Sequence, residues 1–493
     1  MESYNTFIKN NRAVLFSHVL IYAQGIILMP MIIKTAGVTV YGGYLLLTTL
    51  FGFIYGISSF GVGFKCSRFL PATEEKLARR LLFYPQSSFQ FLSLTILSLA
   101  FILFYSSFDS IFLKGEIVFS KWLIFPYLYF MFFYSQTASY FISTHRISYF
   151  NYATVAFPYI NIVLIIIIYL ATNKLSVDIL FSTQALSYML IAIPLTIKMI
   201  SEIGFKFSLP NFGSLVDDMR LGLPLRMNFI MDVILAGSDR YIITFLITVA
   251  AVGYYNPGYA LGSLIVFFPR ASGVVLQPLL SRAIDTGKEE EAHTMLNYTI
   301  KVFLLLAIPF IAGAAVLSSP LLNLFANAEV SQKAYMVTPV IALATLFLGL
   351  NIILSNVLWV RMKTSVMFKI NIIAAVLNLS LNFILLYIFR NILAAAFTTL
   401  ISYLINFILI RKVVISDWPL NFEFGMIMKS IAASILMGIT LYFISSFLGM
   451  ESYRIPFILG EILIGIVIYV LILFAMRTFS NKELLYLRKA FTQ

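Results

Sequence analysis

The chain has 493 residues, 60% of them hydrophobic and 11% charged, with a formal net charge of +13 and one cysteine, Cys66. Soluble domains carry about 25% charged residues, so a soluble domain with a single anchor is excluded. So are an internal disulfide and a thiolate metal cluster.

Apolar character runs from end to end. Barrel strands would alternate over roughly ten residues, and runs such as INIVLIIIIYL (160–170) do not alternate. The expectation is an all-α polytopic membrane protein, in which every span satisfies its own backbone hydrogen bonds.

A polar start leads into a first span near 12–33, containing His18 and Pro30. It is full-length and no small-residue cleavage site follows, so no cleavable signal peptide is expected. A short hinge at 34–40 precedes a glycine-rich span near 41–64 and a strongly basic loop at 65–80. Further spans lie near 82–106, 119–143, 149–171 and 177–200, before the most polar linker in the chain.

The second half has spans near 221–247, 251–281, 297–319, 335–360, 366–388 and 392–411, and two more near 427–448 and 455–476. The sum is about fourteen transmembrane helices, each long enough for a hydrocarbon core about 30 Å thick. The polar breaks divide the chain into a first lobe (1–201), a cytoplasmic linker (202–220), a second lobe (221–412) and two C-terminal helices with a cytoplasmic tail (413–493).

Loop charges sort cleanly when both termini are cytoplasmic. The basic loop at 65–80, Arg282 and Lys288, Arg361 and Lys363, and Arg411 and Lys412 then face inside. Outside lie only Lys34, Lys114, Lys174, Lys333, Arg390 and Arg454, about one per loop. The positive-inside rule therefore absorbs most of the net charge, and no nucleic-acid partner is implied.

The halves carry a repeat. SRFLPATEEKLARRLL (67–82) aligns without gaps on SRAIDTGKEEEAHTML (281–296), matching Ser67/Ser281, Arg68/Arg282, Glu75/Glu289, Ala78/Ala292 and Leu82/Leu296. Tyr41-Gly42-Gly43-Tyr44 resembles Val252-Gly253-Tyr254-Tyr255. Six spans per lobe make the two pseudo-symmetric lobes parallel repeats, with a site expected between them.

Ionisable groups at membrane depth cost roughly 2.5–3.5 kcal/mol on insertion scales and mark pathways. The span near 221–247 carries Arg226, Asp232, Asp239 and Arg240; Asn228, Asp232 and Asp239 share one stripe at spacings of four and seven. Asp232, at mid-depth, reads as a protonatable carboxylate suited to H⁺ or Na⁺ coupling. Asp239, toward the outer end, reads either as a second coupling carboxylate or, with Arg240, as a structural pair. Arg270 sits about a dozen residues inside its span, too deep for easy snorkelling. With Arg226 it suits bidentate chelation of an anion; pairing with Asp232 is the structural alternative. In the first span Asn11, His18, Tyr22 and Gly25 form a matching stripe.

No Gly-rich phosphate loop, HExxH or histidine cluster occurs among His18, His145 and His293. Neither ATP-driven transport nor a bound cofactor or metal is expected. The longest outside loop, 320–334, offers only Glu329 and Lys333, too little for a membrane-embedded polymerase or ligase.

With Ser238-Asp239-Arg240-Tyr241-Ile242-Ile243, Ala251-Val252-Gly253-Tyr254-Tyr255-Asn256 and Ala260-Leu261, and with Pro30, Gly37 and Tyr41-Gly42 in the first half, the chain resembles the multidrug/oligosaccharidyl-lipid/polysaccharide exporter superfamily, and within it the Wzx-type O-antigen flippases. The resemblance covers the whole length. It implies two lobes around a cationic cavity in the bacterial inner membrane, translocating undecaprenyl-pyrophosphate-linked repeat units to the periplasmic leaflet by cation-coupled alternating access. Partners would be the lipid-linked oligosaccharide, membrane lipids and a polysaccharide polymerase and chain-length complex. On that resemblance Arg226, Arg270, His18 and Asn228 would bind pyrophosphate or sugar, while Asp232 and Asp239 would couple to a cation gradient. The rivals are a flippase for another polyprenyl-linked glycan, such as a capsule or peptidoglycan precursor, and an H⁺- or Na⁺-coupled multidrug exporter.

Overall fold

The computed structural model describes residues 27–478 except 74, 145, 419, 421, 422 and 450–453, together with 20, 24 and 25. All regular secondary structure among these residues is helical. In chain order the helices are α1 (Ile27–Ala36), α2 (Val38–Ser58), α3 (Gly63–Phe69), α4 (Lys76–Phe108), α5 (Ile124–Ser143), α6 (Ile147–Thr172), α7 (Val177–Ile203), α8 (Phe212–Leu246) and α9 (Val249–Gly262). They continue as α10 (Phe267–Asp285), α11 (Glu289–Phe325), α12 (Ala328–Ala334), α13 (Val337–Val360), α14 (Thr364–Phe389), α15 (Ile392–Asp417), α16 (Phe424–Leu448) and α17 (Ile455–Ala475).

Eleven helices among the described residues are long and apolar enough to cross a membrane. The all-α polytopic expectation holds. The spans expected near 119–143 and 221–247 are also helical, as α5 and α8, but are not among those eleven; α8 carries Arg226, Asp232, Asp239 and Arg240 in its apolar stretch.

Some boundaries move for visible reasons. The single span expected over 251–281 is two helices, α9 and α10, joined by a 3₁₀ turn at Leu264–Val266. The Gly262 carbonyl accepts instead from Thr345 Oγ1 at 2.9 Å, so the break leaves no orphan acceptor there. Only residues 204–211 of the expected linker are irregular, because Asn211 caps α8 by accepting from Gly213 N at 3.4 Å.

The chain divides into two compact units, Met1–Gly253 and Tyr254–Gln493. This partition follows packing, whereas the lobe boundaries read from sequence follow the repeat. The first unit has an aromatic centre in which Phe51 meets Phe101, Phe119, Tyr127 and Phe181 at ring separations of 5.2–5.9 Å. The second is built around α13, the most buried of the eleven spans, with α10, α11 and α15 against it. The core formed there includes Leu280, Phe303, Ile353 and Trp418.

Each unit repeats one local design. α6 ends in a left-handed residue, Asn173 (φ 50°), and α14 ends likewise at Arg390 (φ 51°). The next helix is then capped by a side chain, Ser176 in α7 and Asn391 in α15. Counting from those caps, Thr183 and Thr398 take the same position, as do Ser187 and Ser402, then Tyr188 and Tyr403. The serines make identical bonds: Ser187 Oγ donates to the Thr183 carbonyl and Ser402 Oγ to the Thr398 carbonyl, both at 2.7 Å. Both units also pack the capped helix most extensively on the helix two before it, α5 with α7 and α13 with α15.

Candidate functional site

The first unit encloses a cavity of about 390 Å³ among α2, α3, α4, α5 and α8. Its floor is backbone. Where α2 turns into α3, Gly61 adopts φ +84° and lies against Gly222 of α8, so closely that neither residue has room for a Cβ. Its walls are polar. α4 presents Gln86, Ser87 and Gln90, and α5 presents Gln136, Ser139 and Ser143, each set at the three- and four-residue spacings that share one helix face.

These side chains form a relay. Ser87 Oγ donates to Gln136 Oε1 (2.9 Å), Gln136 Nε2 donates to Gln90 Oε1 (2.8 Å), and Gln90 Nε2 donates to Ser58 Oγ (3.4 Å). Ser58 Oγ in turn donates to the Tyr55 carbonyl at 2.7 Å. Gln86 stands apart from the relay: it is 6% exposed, and its Oε1 has no hydrogen-bond partner among the described residues.

Arg226, half-buried on α8, is the one formal charge on the described lining, and no carboxylate lines it. Cys66, on α3, is buried in the same wall, and burial pushes its thiol up to about 12. The arrangement offers amides, hydroxyls and a guanidinium without a nucleophile–base pair. Such groups can exchange hydrogen bonds with a polar solute.

Beside the α5–α6 turn a clamp ties three elements together. Arg146 grips Glu202 of α7 in a bidentate pair at 2.5 and 2.6 Å, and Tyr140 OH of α5 donates to the same carboxylate at 3.0 Å. The Glu202 hydrogen bonds hold the Arg146 guanidinium above its ordinary value. Arg80 Nε donates to the Ile203 carbonyl nearby.

Of the residues singled out in the sequence, Arg226 lines the cavity. Asp239 lies on α8 and is 2% exposed. Its neighbour Arg240 donates from Nη1 to Thr49 Oγ1 of α2 at 2.6 Å, and Tyr241 OH donates to the Leu46 carbonyl at 2.8 Å. The Ser238–Tyr241 signature thus includes docking contacts between α8 and α2. Arg270 is exposed on α10 in the second unit and is not part of the lining described above. His18 lies outside the described residues, as do the side chains of Asn228 and Asp232.

The glutamines and serines of α4 and α5 escape a search for charge. Their signal is the spacing Gln86–Gln90 and Gln136–Ser139–Ser143 inside apolar runs. The second unit buries a polar set of its own. Thr398 Oγ1 donates to Asn382 Oδ1 at 2.7 Å and Asn382 Nδ2 donates to Asn378 Oδ1 at 3.1 Å, cross-linking α14 and α15.

The MatE family model matches residues 227–384. Among curated proteins, the probable low-salt glycan biosynthesis flippase Agl15 of Haloferax volcanii is 23% identical over 231 residues, 47% of this chain and 48% of that protein. The chain thus spans about half the length of the curated relative it matches. Among solved structures, the lipid II flippase MurJ in its inward closed conformation superposes with a TM-score of 0.75 at 17% identity, covering 94% of this chain and 98% of that one. A multidrug resistance MATE family transporter of the MOP superfamily, in an inward-facing conformation, gives 0.65 at 14% identity over 81% of this chain and 95% of that one. The fold is that of the MOP-superfamily transporters.

Proposed function

We propose that this protein is a flippase for a lipid-linked glycan, moving the sugar-bearing head group across the membrane by alternating access. The observation that carries the reading is the cavity of the first unit: amides, hydroxyls and Arg226, with no carboxylate among the described lining residues, inside a membrane-spanning helical unit. A saccharide has to exchange its water hydrogen bonds for protein ones on entering such a bundle, and this lining supplies both donors and acceptors. The likeness to a named glycan flippase and to the fold of a lipid II flippase supports the same substrate class.

The finer reading is an undecaprenyl-pyrophosphate-linked O-antigen unit, carried across the bacterial inner membrane by a protein whose termini are cytoplasmic. In it Arg226, Arg270, His18 and Asn228 contact pyrophosphate or sugar, and Asp232 and Asp239 couple the cycle to H⁺ or Na⁺. A polysaccharide polymerase would receive the product. Flipping of another polyprenyl-linked glycan is the near alternative. A cation-coupled multidrug exporter is the far one.

Complementation of a flippase-deficient strain of known glycan structure tests the reading. Restored surface polysaccharide is the expected result, with Arg226→Ala and Arg270→Ala abolishing it while the protein still inserts. If deletion in the native host leaves surface polysaccharide normal and makes cells drug-sensitive, the flippase assignment fails.

A further inference from the structure

We propose that the cavity of the first unit is a saccharide subsite that selects, at Gln86, for a sugar presenting a hydrogen-bond donor, either a hydroxyl or an acetamido N–H. The proposal rests on the reading of the protein as a glycan carrier and specifies what the first unit holds of the molecule carried.

The relay has a fixed direction. The Tyr55 carbonyl can only accept, so Ser58 Oγ donates to it and receives from Gln90 Nε2. That turns the Gln90 oxygen toward Gln136 Nε2, and the Gln136 oxygen toward Ser87. Ser87 therefore spends its only proton inside the relay and is left with acceptor capacity at the cavity. Gln86 Oε1, by contrast, is buried and has no partner among the described residues.

Buried acceptors without partners are rare in folded proteins and call for an explanation. Gln86 Oε1 is one such acceptor, on a residue that lines the cavity, and a ligand that brings a donor answers it. A fully ionised anion brings none, and hydrogen phosphate brings one where a sugar ring brings several. An apolar acyl chain brings none either, and it would leave the amides and Arg226 desolvated. A sugar ring brings several at fixed angles.

Size agrees. Small-molecule sites occupy roughly 300–1,000 Å³, and about 390 Å³ lies at the low end, room for about one or two sugar rings rather than a long repeat unit. Arg226 on the same lining places a cation next to the ring, where a phosphate or a carboxylated substituent would lie.

Cys66 makes this testable without engineering, because it is the only cysteine and lines the same cavity. The full-length protein in lipid nanodiscs is alkylated with N-ethylmaleimide at alkaline pH. The probes are N-acetylglucosamine 1-phosphate, glucose 1-phosphate and inorganic phosphate, and intact mass reports the rate. Both sugar phosphates are expected to slow alkylation saturably, and inorganic phosphate is not. Gln86→Leu is expected to raise the half-protecting concentration at least about tenfold, since a site built to pair a donor penalises an unmatched one heavily. Gln86→Met, closer in shape, guards against a folding defect and should behave alike, with its thermal midpoint held near that of the parent.

Equal protection by inorganic phosphate would overturn the proposal, as would unchanged protection in both variants or no protection up to the solubility limit of the sugars. Surface-glycan complementation with Gln86→Leu separates the two levels of inference. Full export by the variant removes this subsite and leaves the carrier reading intact, whereas no export by the parent protein removes the carrier reading itself.

Discussion

Gly42 of α2 and Gly253 of α9 meet reciprocally within the first unit: Gly42 lies against the Val249 carbonyl, and Gly253 against the Val38 carbonyl. Each carbonyl belongs to the residue four before the opposite glycine, so the contact has local two-fold character. The two glycines are the shared positions of the repeated Tyr41–Tyr44 and Val252–Tyr255 motifs.

A Cβ on either glycine would stand well inside 3.0 Å of a backbone oxygen. Gly42→Ala and Gly253→Ala should each destabilise the protein by about 1–3 kcal/mol through overpacking. Because one displacement relieves both clashes, the double variant should cost less than the sum of the two. Thermal midpoints of the three variants in detergent check this, and strictly additive shifts would show that the contact is not shared.

Thr49 receives a charged hydrogen bond from Arg240 at 2.6 Å. Thr49→Val keeps the shape and removes the acceptor, and should cost about 1.5–3 kcal/mol, the range for bonds to charged groups. If this contact is architectural, transport per folded molecule stays near the parental rate while the thermal midpoint falls. A parental midpoint with lost transport would assign Arg240 to the transport cycle instead.

The Arg146–Glu202 clamp has two short bonds and a third from Tyr140, with both charged side chains about one-third exposed. Bidentate, charge-assisted pairs are the strong class of hydrogen bond, but partial exposure discounts them. Glu202→Gln should therefore lower stability by only about 1 kcal/mol. The effect should persist in moderate salt, because a bonded pair is screened less than separated charges. Midpoints measured with and without added salt decide it.

Burial holds the Cys66 thiol at about 12 against an ordinary value of 9.0. Alkylation consumes the thiolate, so its rate should rise about tenfold per pH unit from pH 7 to 10. The sign for stability is the opposite. Below about pH 9 the thiol is neutral whether the chain is folded or unfolded and nothing is lost; above it only the unfolded chain ionises, and stability falls progressively toward pH 12. Cys66→Ser should flatten that alkaline limb in a pH series of thermal midpoints, and an unchanged limb would exclude Cys66 as its source.

The helices were legible because bilayer thickness imposes length and apolarity on each span, which hydropathy reads directly. Arg226 was legible for the converse reason, since a guanidinium amid apolar residues is conspicuous. Gln86, Gln90 and Gln136 were not, because an amide is only mildly polar by composition and its meaning lies in which residue it faces. The repeat was found at the loop after the second span, yet its better-preserved trace is Thr183-x-x-x-Ser187-Tyr188 against Thr398-x-x-x-Ser402-Tyr403. Those residues are conspicuous only once the capped helices are set side by side. The division of α9 from α10 was hidden because Gly262-Ser263 sits in an unbroken apolar run, and the hydroxyl that satisfies the Gly262 carbonyl there is more than eighty residues away, on Thr345.

Gly61 against Gly222 gives the cavity one wall with no rotamers at all. At that patch the outline a guest meets is drawn by main chain and tolerates little variation. The polar residues of α4 and α5 are the opposite, flexible amides and hydroxyls that can trade partners. A guest would be gauged on its constant face by the stiff side and accommodated on its variable face by the soft one. Under the proposed function, that would let the cavity fix one part of a cargo and adapt to the rest.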